Sequence, residues 1–104
     1  MLSMVLVKIR PDYITLRTKS SMASRINKNL VSAFARALRT IRLEKELTQE
    51  QVAYGAKLHP TYIAFLEGRK RQPSIDTIFK IAKGLDIKPS SFMKRIESYY
   101  FTKK

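Results

Sequence analysis

The sequence predicts an all-α domain of five short helices, preceded by a basic arm. Three observations carry this expectation: apolar residues spaced by three and four from Leu30 onward, a cap residue ahead of the first four apolar runs, and connections of only a few residues. In the first predicted helix, Leu30, Phe34, Ala37, Leu38 and Ile41 fall at i, i+4, i+7, i+8 and i+11, on one face. Asn27 or Asn29 would cap its start. Arg36, Arg39, Arg42 and Lys45 lie mostly off that stripe and read as a solvated face.

The second helix opens at Leu47-Thr48-Gln49-Glu50-Gln51-Val52. Thr48 and Gln51 have the spacing of a capping box, and Leu47 and Val52 that of a hydrophobic staple, so a helix should run from Gln49 to about Ala56. Leu58-His59-Pro60 is a second entry, with His59 as the cap and Pro60 at the first helical position, where its missing N–H costs nothing. Gly68 should end that helix. Ser74 caps a fourth helix with Ile75, Ile78, Phe79 and Ala82 as the expected buried stripe. Gly84 is its expected left-handed stop, with Leu85 folding back on Phe79. A last helix begins near Pro89 and aligns Phe92, Met93, Ile96 and Tyr100.

The first 26 residues differ in kind. Met4–Ile9 and Tyr13–Thr18 are rich in β-branched and aromatic residues around an Arg10-Pro11-Asp12-Tyr13 turn, which suits a β-hairpin. An isolated two-stranded ribbon is only marginally stable, so a hairpin and an unstructured basic arm both stay open. The expected organisation is an arm over 1–26 and a helical domain over 27–104 that ends in a dimerisation helix.

Composition narrows the chemistry. The 104 residues carry 21 Lys and Arg against 8 Asp and Glu, a net charge of +13 that calls for a polyanionic partner. With no cysteine there is no disulfide or thiolate metal site, and one histidine, His59, does not make a zinc site, so neither metal nor cofactor is expected. The longest run free of charged residues, Leu58–Leu66, has nine members against about 20 needed to cross a bilayer. Cations follow rather than precede the short apolar start at Met1–Val7, so no signal peptide and a cytoplasmic location are expected. No acid–base pair accompanies the lone histidine, and an enzyme is not expected.

The interval Gln49–Leu66 joins two helices of about eight residues. Ala53 is small where their axes should meet, Leu58 plugs the turn, and Ile63 and Leu66 turn the second helix onto the core. These are the requirements of a helix-turn-helix. Thr48-Gln49-Glu50-Gln51-Val52-Ala53, Leu58-His59-Pro60-Thr61-Tyr62-Ile63, Glu67 through Ser74, and Ile81 through Ile87 resemble the xenobiotic-response-element family, the group of the λ and 434 repressors and Cro. The likeness spans roughly Leu30 to Phe92 and implies a five-helix, repressor-like bundle. Lys57 stands where that family commonly has glycine, and so should adopt a left-handed backbone at a cost of about 1 kcal/mol. Arg69 takes the place of a second usual glycine, with Gly68 one residue early.

The resemblance implies a sequence-specific regulator of transcription whose second motif helix enters the major groove. With Ile63 and Leu66 inward, Pro60, Thr61, Ala64 and Phe65 are the expected base readers, Phe65 against a thymine methyl or, alternatively, in a protein interface. Thr48, Gln49, Tyr62, Arg69, Lys70 and Arg71 are the expected phosphate contacts. A single reading helix contacts too few base pairs for useful specificity, so a homodimer on an inverted-repeat operator is expected. Phe92, Ile96, Tyr99, Tyr100 and Phe101 are its expected interface. Phage-type repressor, restriction–modification controller and antitoxin-type repressor all fit. The basic charge equally suits an RNA-binding protein, and the arm equally suits a module that clamps a toxin or another protein.

Overall fold

Asn27 begins the helical body: its side chain accepts the N–H of Leu30 at 3.0 Å, and the helix it caps, α1, runs Lys28–Glu44. The computed structural model describes residues 26–102, and the arm with its hairpin alternative lies outside them. Four further helices follow: α2 (Gln49–Ala56), α3 (Pro60–Glu67), α4 (Ile75–Gly84) and α5 (Pro89–Thr102). No strand occurs among the described residues. The Thr48–Gln51 box is complete, with Thr48 Oγ1 accepting the Gln51 N–H at 3.0 Å and Gln51 Oε1 accepting the Thr48 N–H at 2.8 Å. Ser74 accepts the N–H of Thr77 in the same way.

Each of the first four helices stops by one device. Glu46, Lys57, Arg69 and Asp86 all hold φ near +60°. The next residue's N–H then reaches back to the carbonyl five positions earlier: Leu47 to Arg42, Leu58 to Ala53, Lys70 to Phe65 and Ile87 to Ala82, at 2.9–3.0 Å. This closes the orphan carbonyls as in a Schellman motif, without glycine at the left-handed position. Lys57 therefore behaves as the sequence predicts, and Arg69 adopts the same conformation at the place of the second usual glycine.

Gly84 does not. It is the last residue of α4, has ordinary negative φ, and the left-handed stop falls on Asp86. Its real duty is steric. A Cβ on Gly84 would lie 2.4 Å from the Val52 carbonyl oxygen and 3.0 Å from the Ala56 nitrogen, because α4 crosses α2 backbone to backbone. A Cβ on Gly55 would in turn meet the Gly84 Cα at 3.0 Å.

The core is a single cluster around Phe34, Leu38, Val52, Ile63, Leu66, Ile81, Leu85 and Phe92, all fully buried. Phe34 and Phe92 join α1 to α5 with ring centroids 5.5 Å apart. The predicted stripe of α4 needs correction. Ala82 is buried and Ile78 packs against the core, but the inner face is completed by Thr77 and Ile81, while Ile75 and Phe79 stay exposed. Phe79, expected to be buried, is turned outward, while Leu85 is fully buried in the core.

Candidate nucleic-acid interface

α2 and α3 present the predicted motif. Ala53 and Ala56 are buried at the crossing, Leu58 packs half-buried under the turn, and Ile63 and Leu66 are fully buried. Ile63 and Leu66, one helical turn apart, therefore point inward, and the opposite side of α3 is left outside. Thr61, Ala64 and Phe65 are exposed there, Phe65 by 40%, and Pro60 sits half-buried at its edge. His59 accepts the Thr61 N–H on Nδ1 at 3.0 Å, an ordinary cap that sets the start of α3. Tyr62 is half-buried with its ring against the core.

An ion pair that the residue pattern did not reveal fixes α3 in place. Arg42 is buried to 8% exposure and grips Glu67, itself at 9%, through Nε at 2.6 Å and a second nitrogen at 3.1 Å. Its third nitrogen donates to the Leu47 carbonyl at 2.8 Å. Gln49 Nε2 donates to the same Glu67 carboxylate at 3.0 Å, and Arg39 approaches it at 3.6 Å. Glu67 thus ties the end of α3 to the start of α2 and to the last turns of α1. The reading of Arg42 as a solvated face is corrected here. It stands four residues after Leu38 and eight after Phe34, on the apolar stripe itself, and that register was the available signal.

Gln49 therefore spends its side chain on Glu67. Past Glu67 the chain turns through Arg69, whose Nε donates to Ser32 Oγ at 3.0 Å. Lys70 and Arg71 are exposed, and the Arg71 guanidinium lies over the Phe65 ring at 5.6 Å. The outer side of α3 and the cationic loop after it form one surface, on which the single acid of the helix is neutralised by Arg42.

This arrangement decides the family. A family model described as helix-turn-helix matches residues 38–92. The chain belongs to the helix-turn-helix family. Among relatives in that family, the control protein C.BamHI of Bacillus amyloliquefaciens is 38% identical over 66 residues, 62% of this chain and 82% of the relative. The wild-type restriction–modification controller protein C.Esp1396I superposes with a TM-score of 0.64 at 34% identity, covering 67% of this chain and 92% of that one. The same controller, solved as a tetramer with its natural 35-base-pair operator, gives 0.67 at 33% identity over 70% and 96% of the two chains.

The predicted dimer residues do not form one surface. Phe92 and Ile96, 0% and 3% exposed, are consumed by the chain's own core, which corrects their place in an interface. Tyr99 is half-buried beneath the Arg36 guanidinium, 4.3 Å from its ring centroid. Arg95 pins the same seam through two nitrogens on Glu44 at 3.1 and 3.2 Å. That contact holds the Arg95 pKa above its ordinary value. Tyr100 stacks edge-on against Phe101 at 4.8 Å, and Phe101 is 72% exposed. Beside them Leu30, Ile75 and Met93 are exposed along a groove between α1, the start of α4 and α5. Ile75 and Met93 were not assigned to a partner from the sequence, because helical spacing makes them core residues equally well. No helix among the described residues is long and apolar enough to cross a membrane.

Proposed function

We propose that this chain is a non-enzymatic, sequence-specific regulator of transcription that lays α3 in the major groove of duplex DNA and acts as a homodimer on an inverted-repeat operator. One observation carries the reading: an exposed Thr61–Ala64–Phe65 face, free of unpaired acid, held rigidly by the Arg42–Glu67–Gln49 clamp and continuous with the cations of the following loop. Pro60, Thr61, Ala64 and Phe65 face the bases. Thr48, the Gln49 backbone, Tyr62, Arg69 and Lys70 position the phosphates. The likeness to C.BamHI and C.Esp1396I favours a restriction–modification controller among the regulators that share this domain. Such a protein works in the cytoplasm, on the nucleoid when bound.

The homodimer is supported by the solved C.Esp1396I tetramer on its operator. It is further supported by the exposed apolar groove, where Leu30, Ile75, Met93, Tyr100 and Phe101 form the surface a second copy would cover. Selection of binding sites from random duplex DNA, with RNA as competitor, tests the proposal. Enrichment of an inverted repeat with half-site centres about one helical turn, ~34 Å, apart is expected. Thr61→Ala should change the selected sequence. Lys70→Ala should weaken all sequences alike and flatten the log–log salt dependence by about 0.9 per lost phosphate contact. Preferential recovery of the competitor RNA would overturn the reading.

A further inference from the structure

Arg71 stands apart from the two cations before it. α3 ends at Glu67, Gly68 continues with φ −85°, and Arg69 then reverses the chain at φ 60°. The Lys70 N–H closes that reversal on the Phe65 carbonyl at 2.9 Å. Arg69 is drawn toward α1 by Ser32, whereas Arg71 is carried back over the last turn of α3, its guanidinium 5.6 Å above the Phe65 ring. Among the described residues no carboxylate forms an ion pair with Arg71. Phe65 in turn lies four residues beyond Thr61, on the outward side of the reading helix.

A guanidinium set over an aromatic face loses little of its hydrogen-bonding power, because its five N–H donors lie in its own plane and project past the ring. Such a pair offers two complementary features side by side, an apolar ring edge and a flat two-pronged donor. In the major groove the apolar partner is the C5 methyl of thymine. The partner for a two-pronged donor is guanine, whose O6 and N7 accept both prongs at once. A phosphate also accepts a guanidinium, but it has no apolar neighbour for the ring.

We propose that Phe65 and Arg71 act as one reading unit, which takes a guanine in the base pair next to a thymine at the end of each half-site. The proposal rests on the major-groove reading above and moves Arg71 from gripping the backbone to determining sequence. The left-handed Arg69 is its structural basis, since an ordinary helical residue there would carry Arg71 away from α3.

Site selection with the full chain, followed by titration of the selected duplex, tests it. Wild type, Arg71→Lys, Arg71→Ala, Phe65→Ala and the double variant Arg71→Ala/Phe65→Ala are compared, each first shown by thermal melting to be folded. Wild type should select one strongly preferred guanine beside a thymine. Arg71→Lys, which keeps the charge, should lose about tenfold in preference for that guanine with an unchanged salt slope. Replacing the neighbouring thymine by deoxyuracil, which lacks the methyl, should weaken wild type but leave Phe65→Ala unaffected. The losses in the double variant should be less than additive. Retention of the wild-type preference by Arg71→Lys would overturn the inference, as would a uniform loss for Arg71→Ala with a slope flatter by about 0.9, the mark of a phosphate contact. Wild type that enriches no duplex sequence would overturn the major-groove reading itself.

Discussion

Glu67→Gln replaces one oxygen by nitrogen and changes the volume hardly at all, yet it strikes the point where three helices meet. In the native chain the Glu67 carboxylate accepts from Arg42 at 2.6 and 3.1 Å and from Gln49 at 3.0 Å, with Arg42 almost wholly out of water. The amide accepts on one atom only and turns its NH2 toward donors. It leaves a buried guanidinium short of its charge partner, and breaking a buried pair from one side costs about 3 kcal/mol or more. For a domain of this size about 1 kcal/mol corresponds to roughly 4–8 °C, so the midpoint of thermal unfolding should fall by at least about 12 °C. Circular dichroism melts of wild type, Glu67→Gln, Glu67→Leu, Arg42→Met and the paired Arg42→Met/Glu67→Leu measure this. The paired variant, apolar on both sides, should recover most of the lost stability. It should not recover DNA affinity, because Gln49 no longer has the carboxylate that ties α2 to the end of α3. A Glu67→Gln chain within about 0.5 kcal/mol of wild type, or single variants whose effects simply add, would refute the clamp.

Three further outcomes are expected. Gly84→Ala should destabilise by about 2 kcal/mol in denaturant titration, although alanine is the better helix former by about 1 kcal/mol, because its Cβ meets the Val52 carbonyl; an unchanged or raised midpoint would disprove the backbone crossing. Lys57→Gly should stabilise by about 0.5–1 kcal/mol by relieving the left-handed backbone, read from the same titration with DNA affinity unaltered. Ile75→Ser with Met93→Ser should leave the melting midpoint almost unchanged, since both side chains are exposed, but shift sedimentation toward monomer and reduce operator affinity; a dimer as tight as wild type would remove the groove from the interface.

Local chemistry was legible wherever one residue acts on its own neighbours. Asn27, Thr48, His59 and Ser74 cap the helices predicted for them, because a side-chain oxygen or nitrogen that satisfies an N–H two or three residues on needs nothing from the rest of the chain. The inward pair Ile63 and Leu66, and hence the outward face of α3, followed from helical spacing alone, and the left-handed Lys57 from a position usually held by glycine.

Features made by two distant segments were decided only by the tertiary structure. Gly84 reads as a helix stop, but the approach of Val52 from another helix gives it a steric role and moves the stop to Asp86. Arg42 reads as a surface cation until Glu67, 25 residues away, meets it in the core. Phe92 and Ile96 read as interface because a helix's spacing shows which residues share a face, not whether that face meets its own core or a second copy. The helices, their starts and the side of α3 turned outward could be read from the chain alone, since these depend on contacts within a turn or two. The rotation of α4, the clamp on α3, the placing of Arg71 over Phe65 and the surface left for a partner depend on packing across the bundle, where each residue's surroundings are supplied by chain far away in sequence.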